Sequence, residues 1–188
     1  MRKEPLNSNK LHEHPKVVAL FTRANWMSFF ERIHGYDEEV TEEFLLSLRP
    51  HSKTHATFSF RGLTLELTPD FISRITGIPL GLPWSKEEKT LRQVVKKTFF
   101  QPEEHPVEDK NGVRRTSLPP PWSEVSYQIM KYITCEGRFS IFYGYHFRLL
   151  HELRYGMDLP PTRKLSLPYF LLQSLIECGT KLNAGVPD

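Results

Sequence analysis

The segment 56–79, ATFSFRGLTLELTPDFISRITGIP, constrains the fold more than any other part of the chain. Aromatic and leucine residues alternate on both sides of Arg61-Gly62. A two-residue loop there sets Phe60 opposite Leu63, Phe58 opposite Leu65 and Ala56 opposite Leu67. These six side chains then share one face, while Thr57, Ser59, Thr64 and Glu66 occupy the other, which can meet water or a more polar neighbour. Thr68 is placed to cap a following helix, and Pro69 fits its first turn. Phe71, Ile72 and Ile75 supply an apolar stripe before Gly77 ends the helix. The segment specifies a folding unit and carries no reactive constellation.

A chain of 188 residues can hold one domain with a substantial core. Thirteen Phe, 7 Tyr and 3 Trp argue against global disorder, while 15 Pro imply many chain breaks and exposed connections. Twenty-five basic against 22 acidic residues leave +3, a weak attraction to polyanions at most. Cys135 and Cys178 are too few and too far apart for a disulfide framework, so reduced, packed thiols are expected. No apolar run has the length of a signal peptide or a spanning helix, so an intracellular protein of nucleus or cytoplasm, without membrane contact, is expected.

Residues 1–16 are polar and read as a flexible extension, leaving 17–188 as a single globular domain. Trp26, Phe29, Phe30 and Ile33 mark a first helix before Gly35. A second, capped by Asp37, runs over 38–48 with Val40, Phe44, Leu45 and Leu48 as its stripe and ends at Arg49-Pro50. Ser85 and Glu88 have capping-box spacing for a helix over about 86–98. Residues 101–121, with five prolines and few large apolar groups, read as an exposed loop whose Pro119-Pro120-Pro121 end is a stiff spacer. Three more helices follow: one from Trp122 with Val125, Ile129 and Ile133, one through Phe139, Phe142, Tyr143, His146, Leu149, Leu150 and Leu153, and one from Pro168 to about Leu182. The expected fold class is α+β, predominantly α-helical, with one small antiparallel β-hairpin at about 56–67 and about six to seven helices.

Catalytic and metal signatures are absent from the spacing. His51 and His55 have an i, i+4 separation that would join two imidazoles on a helix, but Pro50 and the strand from Ala56 argue against a helix there. Exposed loop histidines are the plainer reading. No nucleophile elbow, zinc-protease helix or phosphate-binding glycine loop occurs. The reading is therefore no enzyme, no cofactor and no metal. An unrecognised hydrolase or metal enzyme would need His34, His51, His55 or His146 to meet a carboxylate or cysteine in a pocket. Basic pairs at Lys96-Lys97, Arg114-Arg115 and Arg163-Lys164 offer nucleic-acid contacts if they converge on one face.

The order of an aromatic helix, an acidic helix, FRGLTLELTPDFISRITGIP, a Pro-rich insert, GRFSIFYGYHFRLLHELR and LSLPYFLLQSLIE resembles the plant transposon protein domain, found in plant retrotransposon-like open reading frames and their host-retained relatives. A more distant likeness is to the plant mobile domain. The resemblance covers most of residues 25 to 180 and is strongest at Leu67, Phe71, Ile75, Gly77, Ile78 and Pro79, which are structural positions. It implies a plant protein of mobile-element origin and brings no catalytic residues. The expected function is a non-enzymatic protein-interaction module, with Trp84 or Trp122 beside the Pro-rich loop as partner-binding candidates. Nucleic-acid binding through the basic pairs is the alternative.

Overall fold

Seven α-helices and two three-stranded antiparallel sheets make up the described residues of the computed structural model, namely 11–32, 37–83, 99–100, 108–109, 112–134, 141–155 and 166–183. The fold is α+β and predominantly helical. In chain order the first elements are α1 (Pro15–Arg23), α2 (Met27–Glu31), α3 (Glu38–Ser47), β1 (Arg49–Ser52), β2 (His55–Phe60), β3 (Leu63–Leu67) and α4 (Pro69–Thr76). They are followed by β4 (Glu108–Asp109), β5 (Gly112–Arg114), α5 (Trp122–Gln128), β6 (Ile141–Tyr143), α6 (Gly144–Tyr155) and α7 (Leu167–Asn183).

The hairpin forms in the register its alternation dictates, with Ala56 opposite Leu67, Phe58 opposite Leu65 and Phe60 opposite Leu63. Arg61 and Gly62 both have positive φ, as a two-residue turn matching the strand twist requires. Thr68 Oγ1 accepts the Phe71 N–H at 3.1 Å, and Gly77 closes α4 at φ 73°. The freed carbonyls at that end are taken up by α2: Ser28 Oγ donates to Thr76 O at 3.3 Å and Arg32 Nη1 to Ile75 O at 2.7 Å. Asp37 caps α3 by accepting the Val40 N–H at 3.0 Å.

Several expectations are corrected. The hairpin is part of a three-stranded sheet, because β1 pairs antiparallel with β2. All of β1 is exposed, so it lacks the alternation that marks a half-buried strand, and Pro50 is tolerated because the strand lies at the edge. Leu11 is buried and α1 starts at Pro15, inside the stretch read as an extension. In the supposed loop 101–121, β5 pairs with β4 and β6, and Val113 and Leu118 are core residues. The helix expected through Phe139 begins instead at Gly144, after strand β6. The helix from Trp122 passes at Ile129–Ile133 into a π-type turn, closed by the Thr134 N–H on Ile129 O at 3.0 Å.

The core is largely aromatic. Phe21 stacks on Phe30 with centroids 4.6 Å apart, and Tyr132 meets Phe30 edge-on at 6.3 Å, tying α1 and α2 to the π turn. α7 packs on α3, α4 and β1. Its approach to α3 depends on Gly179, where an added Cβ would lie 2.7 Å from Leu48 Cδ2.

Candidate functional site

The apolar face of the hairpin forms one wall of a cavity of about 560 Å³. Strand alternation directs Phe58 and Phe60 of β2 and Leu65 and Leu67 of β3 into it. Burial decreases along this wall, from Leu67 and Phe58 at the base, through half-buried Phe60 and Leu65, to Leu63 at the turn, which is 64% exposed. The helix capped by Thr68 supplies a second wall through Phe71, Ile72 and Ile75, with Thr76 at its end. Ile75 is 54% exposed and so stands where the cavity opens.

The opposite wall comes from the far end of the chain. Leu171, Ser174, Leu175 and Cys178 lie at i, i+3, i+4 and i+7 on α7 and present one face to the cavity. Tyr132 and Ile133 of the π turn, with Phe29 and Phe44 from α2 and α3, complete the lining. Phe44 meets Phe58 edge-on at 4.9 Å, and Phe58 meets Phe71 at 6.2 Å. Among the described residues, no lining side chain carries a formal charge at neutral pH. The nearest cation in sequence, Lys131, has its Nζ 5.0 Å from the Tyr132 ring centre and a pKa held above 10.5, first by its hydrogen bond to Tyr132 and against the opposing effect of burial.

The polar lining groups differ in how they are satisfied. Thr76 Oγ1 donates to Ile72 O at 2.6 Å, the usual return of a helical hydroxyl to the carbonyl four residues back. Thr134 and Thr180 do the same with Met130 O and Ile176 O. Ser174 Oγ is buried and has no partner. Cys178 is a half-buried free thiol. Small residues at 174 and 178, set into the apolar stripe of Leu171 and Leu175, are the sequence signal for missing volume on that face.

The residues singled out in the sequence lie elsewhere. Trp122 is half-buried against the core, edge-on to Phe99 at 5.0 Å, with the Arg154 guanidinium 5.9 Å from its ring. Trp84, Lys96, Lys97, Arg163 and Lys164 lie outside the described residues. Arg114 is exposed, and half-buried Arg115 donates to Ser123 O at 3.1 Å and lies over the Tyr127 ring at 5.2 Å.

His51 and His55 do meet, with ring centres 5.0 Å apart, but through the β1–β2 pairing and not along a helix or in a loop. His51 Nε2 is 3.0 Å from Thr57 Oγ1, and His146 is buried within 3.3 Å of Thr134 Oγ1. Among the described residues no three His, Cys, Asp or Glu side chains gather to hold a metal ion. His34 and Cys135 lie outside them. Among the same residues no helix is long and apolar enough to cross a membrane. No family model matches the chain, and no curated protein or solved structure matches it either.

Proposed function

We propose that this chain is a non-enzymatic protein-interaction module of plant transposon-derived origin, working inside the cell. The partner docks where the cavity opens between the hairpin tip and α4. The observation that carries this reading is the open apolar concavity itself, whose walls continue outward to Leu63 and Ile75, both more than half exposed. Large exposed aliphatic groups beside an apolar recess are what a partner's leucine or aromatic anchor requires. A partner helix with apolar side chains at i, i+3 and i+7 fits such a recess. The origin rests on the family resemblance of residues 56–79 and the carboxy-terminal helices, and the free thiol of Cys178 suits a reducing compartment.

The test is affinity capture from plant extract with the wild-type chain and with Leu63→Lys, each with and without nuclease. Leu63 lies at the strand start beside the exposed turn, so its replacement leaves the core intact. Proteins retained by the wild type after nuclease but depleted about tenfold or more by the variant are the expected result. Equal capture by both chains overturns the docking surface. Loss of every captured protein after nuclease treatment moves the function to nucleic-acid binding.

A further inference from the structure

We infer that the cavity between the hairpin, α4 and α7 is a binding site for a small, uncharged, mostly hydrocarbon ligand. The inference takes the same cavity as a binding site but needs no protein partner.

Its volume of about 560 Å³ falls within the range of small-molecule pockets and far exceeds the voids that close-packed interiors leave. At ordinary ligand packing it admits roughly 15 to 25 non-hydrogen atoms. The lining discriminates among classes of ligand. A phosphate, carboxylate or ammonium placed inside would lose its water and find no opposite charge among the described lining side chains, which disfavours ionic ligands. Phenyl rings from Phe29, Phe44, Phe58, Phe60 and Phe71 instead offer faces and edges to aromatic or isoprenoid carbon.

Ser174 adds no polar surface to the cavity. Its hydroxyl is buried on the α7 wall without the carbonyl bond that Thr76, Thr134 and Thr180 each make within their own helical turns. A buried hydroxyl left unpaired is destabilising, but this one presents no surface to the cavity, so the ligand needs no hydrogen-bonding group. Entry is past Ile75, the most exposed of the large apolar lining residues. Cys178, one turn beyond Ser174 on the same wall, reports on occupancy.

The experiment uses N-phenylnaphthylamine, a neutral fluorescent probe with two aromatic systems and one N–H. Saturable binding of one probe per chain is expected, with the emission shift of a dry environment. Its sulfonated analogue, anilinonaphthalene sulfonate, should bind at least about tenfold more weakly. Cys178→Trp, which fills the cavity, should abolish saturable binding while circular dichroism stays native. Should the tryptophan variant not fold, bound probe must still slow alkylation of Cys178 in the wild type, read on the Cys178 peptide by mass spectrometry. Absence of saturable binding, equal affinity for the sulfonate, or full binding by a folded Cys178→Trp chain overturns the inference. Leu63→Lys separates the two proposals, because it should lose partner capture and keep the probe. Partner capture without probe binding sinks only the ligand, and probe binding without partner capture sinks only the interaction module.

Discussion

His151 on α6 lies where burial, and then the positive charge of Arg148, favour the neutral imidazole, so its pKa is lowered from the ordinary 6.5. Its ring also lies 5.0 Å from that of Tyr155. As pH falls past 6.5 the unfolded chain takes up this proton before the folded chain does. Acidification therefore favours unfolding until the folded-state pKa is passed, and the contribution is fully present only above the ordinary value. Thermal denaturation from about pH 7.5 to 5 should show a falling Tm, and His151→Gln should fall less over the same interval. Identical slopes for the two chains would remove His151 as a source of acid sensitivity.

At the scale of elements, the meeting of α7 with the end of α3 is set by one missing methyl group. An alanine at 179 would put its Cβ 2.7 Å from Leu48 Cδ2 and 3.4 Å from Leu45 O, and Leu48 is fully buried, with little room to yield. Overpacking of this kind costs about 1–3 kcal/mol, which outweighs the ~1 kcal/mol gained in helix propensity. Gly179→Ala is therefore expected to lower Tm by a few degrees, roughly 2–4 °C per kcal/mol lost. An unchanged or raised Tm in calorimetry would show that Leu48 moves aside. The local elements were legible in the sequence because their causes lie within a few residues: Arg61-Gly62 for the turn, Thr68 and Gly77 for the ends of α4, Asp37 for the start of α3. Strand β1 was not, since its pairing depends on β2 and its exposed side chains leave no pattern. Val113 was hidden by the charged and proline-rich residues around it, although β5 buries it completely. The cavity was half legible. The apolar hairpin face was plain, but its opposition to Ser174 and Cys178 joins positions too far apart for any local rule to connect.

For the whole molecule, the cavity is where the first half of the chain meets the last helix, so whatever fills it adds contacts between the two. A ligand that binds only the folded chain at ten times its Kd adds about 1.4 kcal/mol of stability. For a chain of this size that raises Tm by roughly 3–6 °C. Scanning fluorimetry with increasing N-phenylnaphthylamine should follow this dependence, and Cys178→Trp should show no shift. A probe-independent Tm in the wild type would mean that the cavity stays empty.

The apolar cavity leaves the chain short of the stability its packing could reach. In a cell, where opened chains are degraded, a deficit of one or two kcal/mol changes protein abundance several-fold (about that much is enough). The supply of a small apolar compound would then be recorded in the half-life of the protein itself, with protein level as the signal and no catalytic step between the two.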